Sequence, residues 1–105
     1  MVTAPKTKQK TLPEIKEIIA RHKAELAMDY SVSDIGIFGS YVRGEQKPGS
    51  DVDILVDFAR PISFFKFIHL ENRLKELLGI KVDLVTRKAL KPVIGRRILK
   101  EVCYL

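Results

Sequence analysis

Cysteine is almost missing from this 105-residue chain: Cys103 stands alone. No disulfide framework and no zinc site can be built on it within the chain, so a small core or interface residue is the expected role. That usage suits a reducing compartment. Long hydrophobic runs are missing too. No apolar stretch approaches the roughly 20 residues of a membrane span, and residues 1–10 lack the apolar centre of a secretory signal. A cytoplasmic protein without a membrane partner is therefore expected. There is no internal repeat and no linker, and a mass of 12.0 kDa excludes a catalytic domain with a separate substrate domain.

Acidic residues are in the minority, at 13 against 19 Lys and Arg, which leaves a net charge of +6. The excess is concentrated at the ends. Residues 1–10 carry Lys6, Lys8 and Lys10 with no acid, and residues 86–105 carry six bases against Glu101 alone. Such a surface could meet nucleic acid, an acidic protein or a triphosphate, and charge does not choose among them. A solvated helix face is the reading preferred for the tail, with some of Arg87, Lys88, Lys91, Arg96, Arg97 and Lys100 near a nucleotide or partner.

Residues 1–10 show no apolar periodicity and read as a flexible basic arm preceding one domain over residues 11–105. Thr11 and Glu14 form a capping-box pattern, and Leu12, Ile15, Ile18, Ile19 and Leu26 predict one helix to about Met28. Residues 32–38 read as a strand that turns at Gly39-Ser40 into a short helix containing Tyr41, Val42 and Arg43. A second strand follows Asp51. The aromatic-rich segment beginning at Phe64 predicts a helix closed by Gly79, with its aromatic cluster in the core. Residues 80–86 read as a third strand, after which Thr86 is placed to cap a helical tail marked by Ile94, Ile98 and Val102. His22 and His69 have no ligand-spaced companions and read as packed or surface residues.

The chemistry-bearing pattern is Gly39-Ser40 followed by Asp51-Val52-Asp53. Glycine lets a phosphate approach the main chain, and amides freed at a helix start attract anions. Val52, Ile54, Val56 and Phe58 alternate with period two, so Asp51 and Asp53 share the opposite face, roughly 7 Å apart along the backbone. Like charges on a central strand are unfavourable unless a cation compensates, and magnesium suits oxygen ligands shared with substrate phosphates. Asp83, in Val82-Asp83-Leu84-Val85, repeats the motif of an acid within an apolar strand, and it joins the other two if the strands are neighbours.

Together, residues 37–45 (Ile-Phe-Gly-Ser-Tyr-Val-Arg-Gly-Glu), 50–56 (Ser-Asp-Val-Asp-Ile-Leu-Val) and 82–85 (Val-Asp-Leu-Val) resemble the minimal, MntA-like nucleotidyltransferases of the polymerase-beta superfamily. The likeness covers roughly residues 12–105. It implies an α+β fold with a small mixed sheet flanked by helices, ATP and Mg2+ as reactants, and transfer of a nucleoside monophosphate with release of pyrophosphate. It also implies a HEPN-type toxin as partner, adenylylated typically on tyrosine by a protein acting as antitoxin. Asp51, Asp53 and Asp83 are the expected catalytic and metal-binding residues, and Gly39, Ser40 and Arg43 the nucleotide-binding ones. Arg43 is divided between neutralising phosphate and bracing the turn against a nearby acid. Asp83 is a metal ligand, the acceptor of the hydroxyl proton, or both. Two alternatives are a catalytically weak relative that masks its partner and, ranked last, a nucleic-acid-binding surface. A homo- or hetero-oligomer, the acceptor and the base specificity stay open.

Overall fold

The structure is a computed structural model describing residues 10–105; apart from Lys10, the basic arm lies outside the described residues. Helix α1 (Leu12–Arg21) opens on the expected capping box: the Thr11 amide donates to Glu14 Oε1 at 2.8 Å, and the Glu14 amide donates to Thr11 Oγ1 at 3.3 Å. The single helix expected to run to about Met28 is instead two, with α2 spanning Lys23–Tyr30. His22 makes the break. Its ring Nδ1 takes the Ile18 carbonyl at 2.8 Å, the acceptor its own amide would use in a continuous helix, and that amide turns to the Ile19 carbonyl at 3.0 Å.

Four strands follow in the spatial order β3-β2-β1-β4. Strand β1 (Val32–Phe38) runs antiparallel to β2 (Val52–Phe58), and β2 runs parallel to β3 (Val82–Thr86). A parallel pair needs a crossover, and α4 (Phe64–Leu78) supplies it. The sheet is therefore mixed, as expected. One of its faces, made by Ile35, Ile37, Val52, Ile54, Val56, Val82 and Leu84, packs against Ile15, Ile19, Leu26, Leu70, Leu74 and Leu78 from the helices. Arg73 of α4 ties to Glu25 of α2 through Nε at 2.6 Å and Nη2 at 3.1 Å. Leu74 is fully buried in this layer, so Leu74→Ala is expected to destabilise the fold by about 2–5 kcal/mol, read from urea midpoints at unchanged m-value.

Three expectations are corrected here. Phe64 and Phe65 are 72% and 75% exposed, not core. At 3.6 residues per turn Phe65 falls opposite the Leu70, Leu74, Leu78 stripe, and Phe64 sits at its edge in the first turn. Phe67 alone of these packs inward, edge-on to Phe58 with ring centroids 6.4 Å apart. Thr86 caps no helix with its side chain; it precedes a single 3₁₀ turn (Arg87–Ala89), and α5 (Pro92–Glu101) starts after Lys91. Val102 lies beyond that helix, and residues Cys103–Tyr104 form an unexpected β4 that pairs antiparallel with Gly36 and Ile37 of β1. Gly36 permits this approach, because a Cβ there would lie 2.6 Å from Val102 Cγ2. No described helix is long and apolar enough to cross a membrane.

Candidate active site

The site begins where β1 ends. Gly39, at φ 81° and ψ −151°, turns the chain into α3 (Ser40–Arg43). Its carbonyl accepts the Val42 and Arg43 amides at 3.0 and 3.1 Å. That backbone conformation is open essentially to glycine alone. Tyr41 is buried beneath the turn, and burial, then the Asp51 charge, raises its phenol above the ordinary value. Val42 packs against the same core, so the turn is fixed from below.

Strand register brings the acids to this turn. Asp53 pairs with Phe38, the residue before Gly39, and on its other side with Asp83 of β3. Asp51 stands just before β2, exposed, where the Val52 amide donates to the Lys81 carbonyl at 2.9 Å. Asp53 and Asp83 belong to the face opposite the helix-packed core, as the period-two pattern requires, and Asp51, just before the strand, is near enough for its charge to act on Asp53. Asp53 is close enough to Gly39 that a Cβ added to the glycine would meet Asp53 Cγ at 3.0 Å. Burial, then the charges of Asp83 and Asp51 and a hydrogen bond shared with Asp83, push Asp53 up to about 6. Its surroundings thus disfavour the bare anion.

Glu101, at the end of α5, is the functional candidate that sequence reasoning missed. It accepts the Gly39 amide on Oε2 at 2.7 Å and Arg43 Nη1 on Oε1 at 2.7 Å, while Arg43 Nε donates to Glu45 at 2.8 Å. Burial alone would raise the Glu101 carboxyl, but Arg43 and the Gly39 amide outweigh it and hold the group below the usual range. Arg43 therefore makes the bracing contact that its sequence context left as one of two readings. The only sequence signal for Glu101 was its being the sole acid in the basic tail.

A cavity of about 300 Å³ lies between turn and tail helix, lined by Phe38, Gly39, Arg43 and Asp53 on one side and by Ile94, Arg97, Ile98 and Glu101 on the other. Of the tail bases, Arg97 reaches it, and Lys88 instead lines a larger apolar cavity of about 570 Å³ around Phe58, Pro61, Ile62 and Phe67. That larger space contains none of Asp51, Asp53 and Asp83. Chemistry, not volume, picks the smaller one.

The acids fit a hard cation in one particular way. Among the described residues no group of three or more His, Cys, Asp or Glu is drawn tightly enough to hold a metal alone. Asp53 and Asp83 nevertheless form an adjacent all-oxygen pair with Asp51 in electrostatic reach. Magnesium is commonly held by one or two carboxylates, with substrate phosphates and water completing the shell.

A mixed sheet with a Gly-Ser turn at the end of β1 and paired acids on β2 and β3 is an arrangement suited to phosphate and hard-cation chemistry. The nucleotidyltransferase domain family matches residues 12–105, and the chain belongs to that family. It is 54% identical over 95 residues to the protein adenylyltransferase MntA of Thermococcus cleftensis, covering 90% of this chain and 96% of that protein. A solved minimal nucleotidyltransferase superposes with a TM-score of 0.71 at 31% identity, over 87% of this chain and 95% of that one. A crystal structure of a toxin–antitoxin with AMP-PNP gives 0.65 at 27% identity, over 80% of this chain and 69% of that one.

Proposed function

We propose that this enzyme is a magnesium-dependent protein adenylyltransferase that moves AMP from ATP onto a hydroxyl, that of a tyrosine, on a HEPN-type toxin, and so acts as its antitoxin. The observation that carries the reading is the Asp53–Asp83 pair set against the Gly39 turn. The activity named for the Thermococcus relative and the nucleotide analogue in the toxin–antitoxin neighbour support it.

In the reaction an acceptor oxygen attacks the α-phosphorus, the bond to the β-phosphate oxygen breaks, and pyrophosphate departs. Gly39, Ser40 and Arg43 hold the outer phosphates by main-chain approach, hydroxyl and guanidinium. Asp53 and Asp83, with Asp51 beside them, would hold magnesium together with the substrate phosphates, and the ion would supply positive charge against the departing pyrophosphate. Asp83 is more exposed than Asp53 and borders the open face, the position from which a carboxylate accepts the hydroxyl proton. A pH–rate profile of Asp83→Asn separates proton acceptance from ligation: loss of the acidic limb assigns it as base, a parallel fall at every pH as ligand.

Ser40→Ala removes one hydroxyl from a half-buried position. It is expected to raise KM for ATP about fivefold with little change in kcat, the value of one hydrogen bond of about 1 kcal/mol. The decisive experiment is co-purification with the native partner and intact-mass measurement with and without ATP. A mass gain of one AMP supports transfer. One specific observation favours the second reading, a masking protein with weak catalysis: Glu101 already occupies the Gly39 amide and Arg43. Stoichiometric inhibition of the partner without ATP, and no mass gain with it, would establish masking.

A further inference from the structure

Two of the three donor groups assigned to the triphosphate, the Gly39 amide and Arg43, are engaged by one carboxylate from the far end of the chain. Glu101 lies 62 residues from Gly39 and 58 from Arg43, yet each of its oxygens takes one of them at 2.7 Å. Its side chain is 23% exposed. The segment that follows fixes where it stands: Cys103 and Tyr104 pair with β1, the Leu105 amide donates to the Ile35 carbonyl at 3.0 Å, and Lys23 Nζ donates to the Leu105 carbonyl at 2.6 Å.

A carboxylate that takes an amide on one oxygen and a guanidinium on the other presents the same charge sign and acceptor spacing as two oxygens of a phosphate. Arg43 is held from its other side by Glu45, so in the resting protein its guanidinium is paired through both Nε and Nη1. Glu101 and a phosphate cannot both use the Gly39 amide and Arg43 Nη1, and like charges forced together there repel.

We propose that Glu101 is an internal substitute for phosphate. It keeps the Gly39 turn and Arg43 in their binding geometry while no nucleotide is present, and it is displaced when a triphosphate loads. This rests on the reading of the turn as the triphosphate site. Loading is then an exchange of one anion for another, which weakens ATP binding by the strength of the Glu101 contacts but keeps the Gly39 amide and Arg43 Nη1 paired in the resting protein.

The test uses the full chain titrated with ATP in calcium, so that binding is read without turnover. Glu101→Gln keeps volume and an acceptor but removes the charge, and ATP should bind it about fivefold more tightly, equivalent to about 1 kcal/mol. Equal or weaker binding by Glu101→Gln, with weaker binding by Arg43→Ala, would make Glu101 a simple brace and overturn the proposal while keeping the nucleotide site. If Arg43→Ala and Ser40→Ala also bind ATP as the native chain does, the site reading itself falls. Should Glu101→Gln melt early, the native protein decides: its Gly39 and Glu101 amide resonances must move together as ATP saturates, and fixed resonances refute the exchange.

Discussion

Asp53→Asn is expected to lower nucleotidyl transfer at least about 100-fold and, in the same protein, to raise stability at neutral pH. The first effect follows from charge. Asn keeps the volume but cannot serve as an anionic ligand, and losing one such contact in a phosphate-transfer site removes about 3 kcal/mol or more of transition-state stabilisation. The second follows from the position Asp53 occupies between Asp83 and Asp51, half-buried, with its carboxyl raised to about 6 from 3.8. An acid with a raised folded-state value binds more protons folded than unfolded between those two pH values. Stability therefore falls as pH rises from about 4 to about 6 and stays lower above that. Partial solvent access reduces the effect to on the order of 1–2 kcal/mol. Thermal melts of the native chain with a chelator should drop across that window, and those of Asp53→Asn should drop less. Full residual transfer would refute the ligand assignment, and identical melting profiles would refute the electrostatic cause.

This trade between stability and charge also marks what could be read from the sequence. The acid face was legible because a strand has a two-residue period, so Val52, Ile54 and Val56 in the core fix Asp53 on the other side whatever the neighbours are. The juxtaposition of Asp53 with Asp83 needed one further fact, that β2 and β3 are adjacent and in register. What escaped has physical causes. The break at His22 depends on a side chain capturing a main-chain carbonyl, which composition does not signal. Phe64 and Phe65 were drawn into the core by their apolarity, although helical phase places Phe65 on the outside. Strand β4 is two residues long and has no period to detect; it forms because Gly36 leaves room for Val102. The contact of Glu101 with Gly39 escaped for the same reason: being the sole acid of the basic tail marks the residue, but only β4 explains how the end of the chain returns to Gly39.

Gly39→Ala is expected to cost both fold and function, and the way it does so tests whether the turn and the acid are one unit. At φ 81° and ψ −151° an alanine is strained by about 1–3 kcal/mol before any contact is considered. Its Cβ would also overlap Asp53 Oδ2 and lie 3.0 Å from Asp53 Cγ. Either the turn opens or the carboxylate swings off the axis it shares with Asp83, and each movement misplaces phosphate relative to the acids. Displacements of about 1 Å in such sites reduce rates about 100-fold, so transfer should fall by at least that factor. The overlap gives a sharper reading. In an Asp53→Ala background the two atoms nearest the new methyl are gone, and of the three nearest the Cβ at 3.2 Å remains. Gly39→Ala should then destabilise by about 1 kcal/mol less than in the native chain, a coupling that a double-mutant cycle of urea midpoints resolves. Additive effects would mean that the glycine serves backbone conformation alone and that the carboxylate is free to move, in which case the turn does not set where Asp53 stands.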